Sequence, residues 1–539
     1  MPNDKGTTQA VLNKLIRNKK VNKMKLLKKA TALLTISAAS LSYADCQYDP
    51  VTHEGGYNAI LMGHSFFRPV AERFEWLIED IQSNGELSQL SHSQVVFFQG
   101  GESGAPGGFD HLEHPTILPE LPANEDPASP YLKCVMGLTF YPENANSEYE
   151  DFKNWIKVAL AHNPNIKIFI GVAWTLKAKD YVIDGIFDTA AFNAFYENGY
   201  EDAVTDLVEQ LRADPDLTTE IYTIPYGRSV SSLASQIDYE NSLPGSHAKP
   251  LTEDDLIDAH VGDSEETTLL KDDGIGHAWG HAENDTRRYG QIVNAVSALQ
   301  WLNAIYNVDL SNLIYTPERV NGGDTFATDI KGIAKQSTYC DPYANLATIK
   351  RNGDLSCAWD FEREAVVPFA LEEAQGEWTA TDGKLTIIDS SRDNHLLTKS
   401  TWADVEVTTQ VQASAPSSAK NWEVPQLITQ YLDNDNYYAL YLNKLGKLVL
   451  RAKINGVVKY RVTDMGTDIS ELNELSIASD SSQISVSFSN ETVGTITRDF
   501  EIIDLFGGGS IGLQNGRAGL RAKNVDAHFE SFEVSPFNN

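Results

Sequence analysis

Residues 59–81 read AILMGHSFFRPVAERFEWLIEDI, and the reading of this stretch decides the fold. Ala59-Ile60-Leu61-Met62 is an apolar run with no polar alternation, the pattern of a strand buried on both faces. Gly63-His64-Ser65 ends the run. Phe67, Val70, Phe74, Leu77, Ile78 and Ile81 then recur at helical spacing, so the chain leaves a strand and turns at once into an amphipathic helix. A serine at such a corner is either a helix cap or a hydroxyl held at the open edge of a sheet, where the helix N-terminus favours negative charge.

The same alternation runs from about residue 56 to 310. Strands are expected at 58–62, 94–98, 134–140, 166–173 and 220–224, and helices at 67–83, 148–162, 188–213 and 284–306. This predicts a doubly wound α/β domain with a parallel sheet. Ligands of such sheets bind beyond the carboxyl ends of the strands. The Ser65 turn, the glycine-rich loop 100–108 and the segment after Phe140 all fall at that edge. Residues 311–357 read as a connector, with turn chemistry in VNGGD and CDPYAN. From residue 358 helical periodicity gives way to short alternating strands such as DVEVTTQVQA, YYALYLN and GKLVLRAKING, which predict an all-β sandwich of about 180 residues. A chain of 539 residues is too long for one core, and two main domains fit its length.

The start of the chain reads as a targeting signal. A basic cluster at 14–29 precedes an apolar run at 30–41 and the cleavage-like Ser42-Tyr43-Ala44, as in a secretory signal peptide over 1–44. From Met24 onward the signal is complete by itself. The apolar run is too short to span a bilayer, so a secreted or periplasmic protein without a membrane span is expected. Loss of 1–44 removes nine basic residues and one acid, leaving 34 basic against 74 acidic residues. That surface repels nucleic acid and anionic membranes. Four cysteines, at 46, 134, 340 and 357, suggest two disulfides in an exported protein. Cys340–Cys357 is the natural local pair, leaving Cys46–Cys134, although three pairings are open to the sequence.

Three features bear on chemistry. The first is Gly63-His64-Ser65. The second is Gly101-Glu102-Ser103-Gly104, a loop able to aim backbone N–H groups at a developing oxyanion. The third is Asp273 and His277 ahead of a long apolar-faced helix, a base and its orienting acid for a serine nucleophile. In this order the three resemble the sequence blocks of the SGNH, or GDSL-like, hydrolases over roughly 56–310. The resemblance implies a flavodoxin-like sandwich and ester hydrolysis through an acyl-enzyme. Ser65 would attack, His277 would take its proton and Asp273 would orient His277. The N–H groups of Ser65 and Gly101 would form part of the oxyanion hole; the family's G-x-N-D block is not visible, and Asn144, after Phe140, is the nearest candidate for its donor. His64 stands where that family has Asp or Asn. Asp273 lies four residues before His277 rather than three, with Asp272 as the alternative acid. His277 and His281 are also spaced as metal ligands on one helix face, but Ala278 occupies the slot where zincins carry glutamate; no metal or other cofactor is expected. His260 is a backup base.

The C-terminal texture resembles concanavalin A-like jelly rolls, found in lectins, glucanases and carbohydrate-binding modules. It implies a binding module, with Trp378, Trp402, Trp422, Tyr437, Tyr438 and Tyr441 as aromatics that either stack on sugar rings or pack the core. The expected function is a secreted serine esterase removing acyl groups, acetyl above all, from a carbohydrate. A non-catalytic glycan-binding protein with a degenerate hydrolase domain and a secreted lipase or thioesterase are the alternatives.

Overall fold

The computed structural model describes residues 46–50, 52–64, 67–99, 133–175, 181–183, 186–242, 292–317, 329–341, 343–344, 357–359, 361, 371–381, 383–388, 390–506 and 512–537. The opening stretch forms β1 (Gly55–His64) and α1 (Phe67–Ser83). Then follow β2 (Leu90–Gln99), β3 (Val135–Phe140), α2 (Ala145–His162) and β4 (Lys167–Val172). After the short hairpin β5 (Val182–Ile183) and β6 (Ile186–Phe187) comes α3 (Thr189–Ala203). It continues through a π-helical turn (Val204–Glu209) into α4 (Gln210–Ala213). β7 (Ile221–Ile224), α5 (Tyr226–Ser242), α6 (Ile292–Tyr306) and α7 (Ile330–Tyr339) complete the first half.

β2, β1, β3, β4 and β7 lie side by side in that order, all parallel. Counted within the sheet this is 2-1-3-4-5, the flavodoxin-like doubly wound order. Successive β1 residues enter different cores. Ala59 and Leu61 join α1, α5, α6 and α7 on one face. Ile60 and Met62 join α2, α3 and α4 on the other. Strands clothed on both faces have no solvent side, which is why their sequences lack alternation. α6 is buried all round, including Ser297, Gln300 and Asn303. Its Trp301 lies over two sheet glycines: a Cβ on Gly137 or Gly171 would sit 2.8 Å from the indole.

The segment read as a connector carries α7, whose Ile330, Ile333 and Ala334 belong to the α/β core. Beyond α7, the Thr223 N–H donates to Ala344 O at 3.1 Å on the outer edge of β7. Arg212 binds Ile221 O through Nε (2.9 Å) and Tyr343 O through Nη2 (2.9 Å). The edge strand is therefore covered by Tyr343 and Ala344. Both disulfides are formed as expected, Cys46–Cys134 and Cys340–Cys357. The first lies at the amino end of β3, where the Cys134 N–H donates to Asn58 O at 2.7 Å; the second ties the end of α7 to the first strand of the C-terminal half.

That half is an antiparallel sandwich. β8 (Cys357–Trp359), β10 (Trp378–Thr381), β11 (Lys384–Ile387), β13 (Val405–Ser414), β18 (Asn473–Ser479), β19 (Gln483–Asn490), β20 (Gly494–Glu501) and β22 (Asp526–Pro536) make one sheet. The other runs β17 (Val457–Asp464), β16 (Lys447–Ile454), β15 (Asn436–Leu442), β14 (Gln426–Asp433), β21 (Gly516–Lys523), β12 (Asp393–Trp402) and β9 (Leu371–Gln375). A short helix, α8 (Ile502–Phe506), follows β20. The consecutive strands β12 and β13 sit in different sheets and pair with the consecutive strands β21 and β22, the sheet-crossing pattern of a jelly roll. Alternate residues such as Val405, Val407, Leu440, Leu450, Leu520 and Phe529 meet between the sheets. β16 and β17 are joined by Asn455-Gly456, both with positive φ (50° and 77°), the two-residue turn that fixes hairpin register.

Candidate functional site

The carboxyl edge of the parallel sheet is built from strand ends. His64 is the last residue of β1, and its ring is fully buried. It stacks on Tyr141, just past β3, with centroids 3.7 Å apart and planes at 22°. The position that carries a short polar residue in the resembling family is here an aromatic packing contact. Ser65 and Phe66, between β1 and α1 in sequence, lie outside the described residues, as do Gly101, Asp272, Asp273, His277, His260 and His281. Asn144 is described. It ends a 3-10 turn (Pro142–Asn144) beyond β3 and precedes α2, half-buried, and its side chain makes no cap hydrogen bond to that helix. Its N–H donates to Tyr141 O at 2.9 Å and its carbonyl accepts from Ser147 Oγ at 2.8 Å. The main chain at 141–147 is thus fixed by these two bonds. The Thr175 hydroxyl, past β4, donates to the Glu143 carboxylate and ties the two strand ends together.

Next to these ends sits a buried polar group. Tyr196 and Tyr200 stack at 5.4 Å. Burial pushes both phenols well above their ordinary range, with Arg228 opposing. Burial pushes the Asp341 carboxyl up to about 6, and hydrogen bonds from the Tyr343 N–H and the Tyr200 hydroxyl together with the Arg228 charge pull it back. α5 starts hard against the end of β4: a Cβ on Gly227 would lie 2.4 Å from Ala173 backbone atoms.

The sandwich sorts the aromatics flagged by the sequence. Trp378, Trp402 and Tyr438 lie between the sheets in the core. Tyr437 and Tyr441 point out of the seven-stranded sheet. Trp422 is half-buried against Tyr441 and Val449. Around Tyr437 stands a set that the sequence reading missed. Arg521 donates to its hydroxyl (3.0 Å) and forks onto Asp393 through Nε (2.8 Å) and Nη2 (2.6 Å). His395 Nε2 lies 3.3 Å from the same carboxylate. The Arg451 guanidinium lies 5.3 Å over the Tyr437 ring. Burial raises the Asp393 carboxyl, but the nearby His395 ring and the Arg521 fork outweigh it and hold the group below its usual range. A planar guanidinium fork on a carboxylate fixes both partners in direction as well as distance. Asp393 and Arg521 are 128 positions apart, so no local spacing signals the pair. Outward alternation on each strand was the available clue. Among the described residues no three His, Cys, Asp or Glu side chains gather as a metal site.

The fold therefore defines a doubly wound α/β unit followed by an antiparallel β-sandwich. No family model matches the chain, and no curated protein matches it. Solved structures do. The chain is similar to the carbohydrate-binding module CBM66 of Bacillus subtilis (13% identity, 31% of this chain and 96% of that one, TM-score 0.25). It is also similar to the seed lectin of Lotus tetragonolobus (11% identity, 31% and 93%, TM-score 0.25). A third is the GH43 BlXynB protein from Bacillus licheniformis (14% identity, 33% and 39%, TM-score 0.27).

Proposed function

We propose that the protein is exported, binds a carbohydrate through its β-sandwich, and hydrolyses an ester, acetyl in the leading case, with its α/β domain. The observation that carries the binding half is the outward face of the seven-stranded sheet, where buried Tyr437, Arg521 and His395 hold Asp393 and Arg451 in one connected set and Tyr460 stands exposed opposite Arg451. An exposed planar ring beside oriented polar groups is what a sugar, with apolar faces and a rim of hydroxyls, requires. Two disulfides support an oxidising compartment and hence export.

The esterase half is favoured by a separate observation: β1 ends at His64, one residue before Ser65, and α1 begins at Phe67 in a sheet of flavodoxin-like order. In this reading Ser65 Oγ attacks the ester carbonyl while His277 takes its proton and Asp273 orients the imidazole. The oxyanion is held by the N–H groups of Ser65 and Gly101 and by the Asn144 carboxamide. His277 returns the proton to the departing sugar oxygen, and water then releases the acid from the acyl-enzyme. Ser65→Ala is expected to lower p-nitrophenyl acetate hydrolysis by at least 10³-fold, within the range for loss of a nucleophile. Equal turnover by the variant and the parent would remove Ser65 as nucleophile and leave a glycan-binding protein with a degenerate hydrolase domain. Activity on long-chain acyl esters but none on acetylated glycans would favour the lipase or thioesterase alternative.

A further inference from the structure

Charge is unevenly divided between the two faces of the sandwich. On β16, Leu448, Leu450 and Ala452 enter the core, so Lys447, Val449, Arg451 and Lys453 face outward. On β21, Ala518, Leu520 and Ala522 are inside, so Arg517, Arg521 and Lys523 face out. Six cations thus share one face with Asp393, Asp435, Asp464 and Glu372. On the opposite sheet the outward positions carry Glu406, Glu474, Asp499 and Glu533 among Ser485, Ser487 and Thr497. There Lys384 is engaged with Glu530 at 3.4 Å. In a chain of formal charge −32, a cationic face is an exception that attracts anions against the general field.

Several of these cations are each paired with one carboxylate: Arg521 with Asp393, Arg517 with Glu372, Lys453 with Asp435 and Lys447 with Asp464. Among the described residues no carboxylate pairs at ion-pair distance with Arg451, Lys420 or Lys523. Those three stand beside aromatic rings. The ammonium groups of Lys420 and Lys523 each lie 5.5 Å from the Trp422 ring. Buried Glu423 is close to both, and is occupied by Asn524 Nδ2 (3.0 Å) and the Lys420 N–H (2.8 Å). Arg451 lies over Tyr437 and is directly opposite Tyr460 on the edge strand β17. Tyr460 is 50% exposed and its neighbour on the same face, Val462, 57%. Val462 is opposite Val449, against which Trp422 packs. The accessible strip therefore runs from Tyr460 over Val462 to Trp422, with a cation outside ion-pair distance of the described carboxylates at each aromatic station.

We propose that this strip binds an anionic polysaccharide carrying carboxylate or sulfate groups on its rings. The sugar faces stack on Tyr460 and Trp422, and the charges meet Arg451, Lys420 and Lys523. The inference rests on the carbohydrate-binding reading and narrows it to charged glycans.

The test is binding of the full chain, by titration calorimetry, to sodium polygalacturonate, a sulfated galactan and a neutral β-glucan of similar length, at 50 and 500 mM NaCl. The expected result is at least tenfold tighter binding of one or both anionic polymers than of the neutral one, weakened at high salt as screening shortens to a few Å. Lys420→Gln/Lys523→Gln and the surface variant Tyr460→Ala are each expected to lose at least fivefold for the anionic polymer, with an unchanged circular dichroism spectrum. Preference between the first two polymers tells carboxylate from sulfate. Equal or tighter binding of the neutral glucan overturns the charged-ligand proposal and leaves the carbohydrate reading standing. Retained anionic binding by both variants also overturns the proposed strip. No binding of any of the three by the parent protein overturns the carbohydrate reading itself.

Discussion

Asp341 shows how one side chain can set a pH dependence. Its carboxyl is buried and raised to about 6, whereas in the unfolded chain it titrates near its ordinary value. The folded form therefore holds a proton that the unfolded form has lost. Its contribution to stability falls as pH rises from about 4 to about 6, and the cost above that is roughly 2–3 kcal/mol. Asp341→Asn removes the titration. The variant is expected to gain on the parent in melting temperature between pH 4 and pH 7.5, and a constant gap across that range would refute the assignment. The same scale shows where sequence reading stops. Tyr437 and Tyr438 are adjacent and chemically alike, yet one faces outward beside Arg521 and the other lies between the sheets. Which parity faces the core is decided by strand register, and register is set by partners far away in the chain. The position of Asn144 past the third strand was legible because it follows a strongly apolar run. Asp341 was not, because its burial depends on packing beside Tyr200 and Arg228.

Elements with strong periodicity were readable. The helix expected at 67–83 is Phe67–Ser83, and the five expected strands all form with ends shifted by a few residues. α5 and α7 were not anticipated. Their sequences, YGRSVSSLASQIDYENS and IKGIAKQSTY, are rich in Ser, Thr and Gly, which have low helix propensity. Packing against α6 holds them. The sheet glycines are a second lesson at this scale. Gly137 and Gly171 interrupt apolar strands and would weaken them in isolation, but their missing side chains make room for Trp301. Gly137→Ala places a methyl 2.7 Å from Leu61 Cδ2 and 2.8 Å from Trp301, so a loss of about 1–3 kcal/mol is expected from overpacking. Urea unfolding would measure it, and an unchanged midpoint would mean that α6 can lift off the sheet at no cost.

Across the whole molecule, long-range ties replace local signals. Pairings such as Asp393 with Lys523 join distant parts of the chain and leave no trace in any short window. The cysteines were the exception, since four residues allow few pairings. Cys46–Cys134 spans 88 positions and Cys340–Cys357 spans 17. Loop entropy assigns about 4–5 kcal/mol to the first and about 3 to the second. Cys46→Ser/Cys134→Ser is therefore expected to lower the thermal midpoint more than Cys340→Ser/Cys357→Ser, and the reverse order in calorimetry would contradict a loop-entropy origin. The shorter link has a different consequence. It anchors the chain just before Tyr343 and Ala344, which cover the outer edge of β7. A bare parallel edge is a template on which another chain can build. Cutting this link frees one end of the cover, so the first sign of its loss should be self-association of folded molecules, visible as light scattering below the melting temperature.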